Sequence, residues 1–329
     1  VTAKDGSIVA TWGNKSYQVR RSEDGGKSWD PIITIAEPGF QGGGVIVDEN
    51  SGDILAFVEE GHPISPFKMY RSKDNGKTWA AEETSIIGDK NGNVPSMHMN
   101  EHGITLQFGE KKGRLIRATR NYDGGNNKEF WPNHYTNAIY SDDAGKTWHT
   151  SAPFPANGTG EATLTELSDG TIYYNSRRHL STDGLNPRMR HIAHSTDGGE
   201  TWEGLYVSEE LPDGDQSGDY GLMAGLIRLP IEGHDVLLYS NIVSNEGRNH
   251  GTVWASFDGG KTWPVNKLVE EGKFAYSSMT AGRAGTPSEG LIYLFFEGED
   301  PKGYSGKMAI FNLAWLLDGK DWEGFLNNY

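Results

Sequence analysis

The chain contains no cysteine, which excludes disulfides, thiolate metal sites and a thiol nucleophile. It has no run of eighteen or more apolar residues, so no helix is expected to insert in a membrane. The opening residues, Val1-Thr-Ala-Lys-Asp-Gly, lack the charged start and apolar middle of a signal peptide. A secreted or periplasmic location is expected, with any export signal ahead of Val1 and the cytoplasm left open. Positive charge is in short supply: 30 Lys and Arg stand against 45 Asp and Glu, a net charge of −15. Nucleic acid and anionic membranes would be repelled at long range. An anionic small molecule could bind only where cations gather in a pocket. Long apolar stretches with helical spacing are also missing. The chain is instead rich in Gly (44), Tyr (14) and Trp (10), the composition of many short strands joined by tight turns. One all-β domain spanning residues 1–329 is the expected organisation.

A repeat refines that expectation. Five octapeptides follow Ser-x-Asp-x-Gly-x-Ser/Thr-Trp: SEDGGKSW, SKDNGKTW, SDDAGKTW, STDGGETW and SFDGGKTW, beginning at Ser22, Ser72, Ser141, Ser195 and Ser256. In each, Ser and Asp can bond the local backbone, Gly supplies a positive φ, and Trp folds back as an apolar plug. Each motif is therefore read as a hairpin that ends one strand and begins the next. The spacing between copies leaves room for a four-stranded antiparallel sheet and a variable loop, and such units arranged radially make a propeller. The strand-like stretches Leu291-Ile-Tyr-Leu-Phe-Phe and Met308-Ala-Ile-Phe-Asn-Leu supply a sixth unit without its own box. A six-bladed β-propeller with antiparallel four-stranded blades is expected. Asp24, Asp74, Asp143, Asp197 and Asp258 then belong to rim hairpins, and loops at the opposite end build the site.

The segments between and after the boxes carry a more specific signal. Gly160-Glu161-Ala-Thr-Leu-Thr-Glu-Leu-Ser-Asp-Gly, followed by Arg177 at the end of the next strand, resembles a stretch of the sialidase (neuraminidase) family. These are glycoside hydrolases with Asp-box (BNR) repeats. Ser244-Asn-Glu-Gly-Arg248, Ala275-Tyr276-Ser-Ser and Leu294-Phe-Phe-Glu297 are similar to later segments of the same family, in the same order. The resemblance implies Tyr276 as nucleophile, Glu161 as the acid that partners it, Arg177 and Arg248 as substrate-clamping arginines, and Glu297 as the brace of a further arginine. It implies an exo-sialidase that hydrolyses terminal α-linked sialic acid with retention, needs no cofactor or metal, and takes sialylated glycans or sialic acid as partners. Arg178, next to Arg177, would point to the opposite face of a strand.

The chemistry suits those residue types. Sialic acid carries a carboxylate on the carbon under attack, so a carboxylate nucleophile would meet a like charge in a poorly screened pocket. A neutral phenol avoids that repulsion, and sialidases are an exception to the two-carboxylate rule of glycosidases. A phenol titrates near pH 10 and needs a base within hydrogen-bond reach. Arginine grips a carboxylate bidentately where lysine offers a point charge.

Two family features are absent. No Arg-Ile-Pro motif precedes the first strand, and Thr11-Trp-Gly-Asn-Lys-Ser-Tyr holds no Asp to act as acid/base. Either the chain starts just after its first clamp residue or it assembles the acid/base differently. An alternative reading is a catalytically impaired, sialic-acid-binding propeller; a protein-interaction propeller would leave the Glu, Arg and Tyr segments unexplained. Met97-His98-Met99 and His102 fall where the family often lines its pocket, with packing an equal claim. Asp213, Asp215 and Asp219 offer oxygen ligands but lack a full calcium-loop pattern. Asn14-Lys-Ser16 and Asn157-Gly-Thr159 are glycosylation sequons.

Overall fold

A computed structural model describes residues 1–40, 43–180, 182–216, 221–320, 324 and 326. The structure is nearly all β. Its strands form six small sheets in chain order, set in a ring as a six-bladed propeller. The first blade holds β1 (Ile8–Gly13), β2 (Tyr17–Ser22) and β3 (Ile33–Ala36). The second holds β4 (Ile46–Val47), β5 (Ile54–Glu59), β6 (Phe67–Ser72) and β7 (Ala80–Glu82). The third is built on β9 (Ile104–Thr105), β10 (Leu115–Asn121), β11 (Tyr135–Ser141) and β12 (Thr147–Thr150), with β8 (Ser85–Ile87) added outside. Blade four is β13 (Thr159–Glu166), β14 (Ile172–Arg178), β15 (Met189–Ser195) and β16 (Glu203–Pro212). Blade five is β17 (Gly225–Arg228), β18 (Leu237–Ile242), β19 (Asn249–Ser256) and β20 (Val265–Lys273), and blade six is β21 (Ser277–Ala281), β22 (Ile292–Asp300) and β23 (Gly303–Phe311).

The blades are not uniformly four-stranded, as the even repeat suggests. Among the described residues the first and sixth have three strands, and the third has five because β8 pairs in parallel with β12. That strand lies on the path from blade two to blade three and covers an outer edge that would otherwise expose unpaired backbone groups.

Each box is a self-satisfied hairpin. In the second, the Ser72 hydroxyl donates to Asp74 Oδ1 (2.9 Å) and accepts from Gly76 N (2.7 Å). Asp74 also accepts from Thr78 N (2.8 Å) and the Thr78 hydroxyl (2.6 Å). The two residues directly after the box Asp are both left-handed: Asn75 (φ 59°) and Gly76 (φ 86°) follow Asp74, and Ala144 (φ 59°) and Gly145 (φ 86°) follow Asp143. Ala144 has no glycine's freedom there, a strain of about 1–2 kcal/mol.

The boxes also join blades. A Cβ on the Gly of each box would meet the preceding blade: Val9 for Gly76, Leu55 for Gly145, Ile116 for Gly199 and Tyr173 for Gly260. The tryptophans fill the same seams. Trp148 packs edge-on against Phe57 at 5.3 Å, and Trp263 against Tyr173 at 6.5 Å. Buried arginines staple the joints, Arg21 Nε to Asn75 O (2.6 Å) and Arg71 Nη2 to Ala144 O (2.7 Å). The core is accordingly a set of interblade clusters rather than one central mass.

Candidate active site

The register of each blade separates the boxes from the site. β14 pairs Ile172 with Ser195, the start of a box, so Arg177 stands at the far end of the strand. β19 runs from Asn249 to its box serine Ser256, which leaves Arg248 just outside the same far end. Glu161, Arg177, Arg248 and Tyr276 thus come from blades four, five and six and meet at the end opposite the rim hairpins.

Glu161 sits where the pairing of β13 with β14 shifts register, between Thr159 and Ala162. Such irregularities re-aim side chains. Its carboxylate is buried and forms a close ion pair with Arg177 Nη1. The Tyr276 hydroxyl lies 3.3 Å from Glu161 Oε1, to which it donates, and 3.3 Å from Arg177 Nη1, from which it accepts. Arg248, exposed to solvent, holds its guanidinium 5.0 Å from the centre of the Tyr276 ring. Four of the five expected site residues therefore converge.

Glu297 is also adjacent, but its contacts are different from the expected ones. Its Oε2 lies 3.4 Å from Tyr276 N, its backbone exchanges bonds with Ala275 and Tyr276, and its charge adds to burial in raising the Tyr304 phenol. It buttresses the strand that carries Tyr276; among the described residues no arginine bonds to it. Arg178 turns to the other face, donating to Asn157 O (3.1 Å) and Asp183 Oδ1 (2.8 Å).

The charge state of the pair follows from its neighbours. Burial pushes the Glu161 carboxyl up, but Arg177, with Arg120, outweighs it and holds Glu161 below the ordinary range. Burial, reinforced by Glu161, raises the Tyr276 phenol. At neutral pH the site holds an ionised carboxylate facing a protonated phenol, ready to pass one proton between them.

Sequence reasoning missed Arg120 and His179. Arg120 Nη1 reaches His179 Nε2 (2.9 Å) and its Nη2 reaches His134 Nδ1 (2.7 Å), while His179 Nε2 lies 4.0 Å from Glu161. Arginine can only donate, so both imidazoles accept, which fixes their tautomers and keeps them neutral. Burial pushes the His179 ring well below its ordinary value, aided by Arg177 and Arg120. Gly160 makes room: a Cβ there would lie 2.0 Å from His179 Nε2. The available signal was spacing, since His179 follows Arg177 by two and shares its face; Arg120 carried no motif.

Of the other candidates, His98 lies close to the site, stacked on Phe40 at 5.2 Å, whereas Met97 is core and His102 is tied to Gly103 O and Met279 O. Asp213 is fully engaged by Arg190 (2.9 Å) and by Arg178 N and Leu222 N. Asp219 lies outside the described residues. No cluster of three or more potential metal-binding side chains occurs among the described residues, and no helix there is long and apolar enough to cross a membrane.

A ring of six sheets with Asp-box hairpins on one rim and an acid–arginine–tyrosine cluster at the other end defines a six-bladed propeller of the Asp-box class. The family model of the BNR repeat-like domain matches residues 11–294, and the chain belongs to that family. The resemblance to sialidases with BNR repeats is borne out by relatives: a sialidase of Micromonospora viridifaciens is 30% identical over 351 residues, covering 95% of this chain and 50% of that protein. Among solved structures, a Hadza microbial sialidase superposes with a TM-score of 0.71 at 24% identity, over 95% of this chain and 65% of that one. The intramolecular trans-sialidase of Ruminococcus gnavus, solved with oseltamivir carboxylate, gives 0.70 at 15% identity, over 96% and 94%. These likenesses show the fold. The chain spans about half the length of the curated relatives it matches.

Proposed function

We propose that this chain is the catalytic propeller of an exo-sialidase that releases terminal α-linked sialic acid from glycoconjugates with retention of configuration. The observation that carries this reading is the Tyr276 hydroxyl set within 3.3 Å of both Glu161 and Arg177. Tyr276 attacks the anomeric carbon as its proton passes to Glu161, and the two guanidinium groups of Arg177 and Arg248 receive the substrate carboxylate. Each charged hydrogen bond of that kind contributes about 1.5–3 kcal/mol. Water then resolves the tyrosyl intermediate, with Glu161 returning the proton to the phenolate.

The Micromonospora relative's name supports the reaction class, and the overall charge of −15 makes a local cationic patch necessary for an anionic substrate. Release of free sialic acid from a chromogenic sialoside, with the α-anomer as first product by NMR, is the expected result. Appearance of the β-anomer first, or no product at all, would overturn the mechanism.

A second reading has one observation in its favour. The first hairpin, Thr11-Trp-Gly-Asn-Lys-Ser-Tyr, holds no carboxylate to act as acid/base, so a propeller that binds sialosides without cleaving them fits that gap. Sialoside binding by calorimetry without product over long incubation would select it.

A further inference from the structure

Substrate binding takes away the charge on which Glu161 depends. Burial works against its ionised form, and Arg177, ahead of Arg120, opposes burial. In the proposed reaction Arg177 receives the substrate carboxylate, so its charge is largely cancelled and a second anion arrives beside the first. A base left in that state would take up a proton from water before it could accept one from Tyr276. Another cation has to act on Glu161 at that moment.

Arg120, on β10, is placed to do so. It is 4% exposed, and its hydrogen bonds go to uncharged partners, Nη1 to His179 Nε2 (2.9 Å) and Nη2 to His134 Nδ1 (2.7 Å). The Tyr122 ring lies against the guanidinium at 4.4 Å. Among the described residues no carboxylate pairs with Arg120 directly. One ring nitrogen separates its charge from Glu161, because His179 Nε2, the atom it bonds, lies 4.0 Å from Glu161 Oε2.

The bracket around this guanidinium is fixed at every point. Arg120 exchanges backbone bonds with Ser96 (2.9 and 3.0 Å). His134 carries its proton on Nε2, which donates to Gly125 O (2.8 Å) and leaves Nδ1 to accept. Gly158 straps the two imidazole residues together, its N donating to His134 O (2.7 Å) and its O accepting from His179 N (2.7 Å). That residue is left-handed at φ 73°, and a Cβ on it would lie 1.9 Å from Leu180 O. Burial, with Arg120 beside it, pushes the His134 ring down to about 4, so the ring holds the guanidinium without adding charge.

Resting on the proposed sialidase reading, we infer that Arg120 is a positioning residue: acting across His179, it keeps Glu161 a carboxylate while the substrate's own carboxylate occupies Arg177. Glu161 then stays able to take the Tyr276 proton. The groups that face Glu161 are Arg177 on β14, His179 just after it, Arg120 on β10 with Tyr122 beyond, Tyr276 ahead of β21, and His98 in the loop before β9. Of the two guanidinium groups among them, only Arg177 meets the substrate.

The acid limb of kcat reads the enzyme–substrate complex and that of kcat/KM the free enzyme, so together they follow Glu161 with and without substrate. Arg120→Gln is expected to raise the kcat limb for a 4-nitrophenyl sialoside by about one pH unit or more, and the kcat/KM limb by less. Arg120→Lys, which keeps the charge, should bring the kcat limb back to within about half a unit of wild type. A kcat limb that stays put in Arg120→Gln, or moves as far in Arg120→Lys, would make Arg120 a packing residue and overturn the inference. Should neither variant fold, the wild type answers: its kcat limb should lie no more than about half a unit above its kcat/KM limb, and a larger gap would mean that Glu161 loses its countercharge on binding and sink the proposal. A wild type that turns over no sialoside overturns both readings together, and the absence of any rate to titrate tells that failure from one at Arg120 alone.

Discussion

Asp74 on the rim and Glu161 near the axis carry the same charge in opposite circumstances. Asp74 accepts from groups within its own hairpin, and those bonds, against the opposing pull of burial, leave its carboxyl below the ordinary range. Glu161 meets partners brought from β14 and from the segment before β21, and its charge is balanced across blade boundaries. A carboxylate satisfied locally stabilises a turn; one satisfied only by the assembled ring is set up for chemistry. The repetition of the first kind and the singularity of the second make the difference readable.

The comparison can be broken most decisively at Tyr276. Tyr276→Phe is expected to reduce kcat by at least about 1,000-fold with the melting temperature little changed; near-normal turnover would remove the axial cluster from the mechanism. Glu161→Gln should lower kcat by about 100-fold and also destabilise the fold by about 3–5 kcal/mol, because Arg177 is left as a buried unpaired cation. The sign for pH is definite: Glu161 is held below its ordinary value, so its stabilising charge is complete above the unfolded carboxyl's range and is lost as pH falls through the lower folded value. The acid limb of kcat/KM should therefore lie below the ordinary glutamate value of about 4.3.

Arg177→Lys is expected to reduce kcat/KM by roughly 10- to 100-fold, since a point charge replaces a fork. On the rim the pattern inverts. Asp74→Ala should lower stability by about 1–3 kcal/mol in chemical denaturation while kcat stays within about two-fold of wild type. Ala144→Gly, the smallest effect, should raise stability by about 1 kcal/mol by relieving the left-handed strain.

The rim was legible because its physics is local. Ser, Asp and Gly within eight residues contain the whole hairpin, and five copies announce the ring. Tyr276, Glu161, Arg177 and Arg248 could be picked out by their motifs, yet the motifs said nothing of the distances between them. Arg120 was invisible since its partners His134 and His179 lie on separate strands or loops, and no short pattern encodes a bond across 59 residues. The even strand count missed β8 at blade three because that strand pairs with β12 some sixty residues on, not with its neighbour in the chain. Glu297 was expected to brace a further arginine and instead lies against the backbone of Tyr276, a contact across the β21–β22 pairing that its motif did not encode.

The box glycines have a consequence for how the ring comes into being. Each turn seals against the blade before it, so the first turn must seal against the last blade: Gly25 packs on Pro287 and Gly26 on Ile310. Nearly the whole polypeptide lies between those contacts. Bringing them together is the longest closure in the molecule and the step with the greatest entropic penalty. Blades two to five can dock on a neighbour as soon as it exists, whereas blade one waits for blade six. The seam between them is where assembly finishes and where opening should begin.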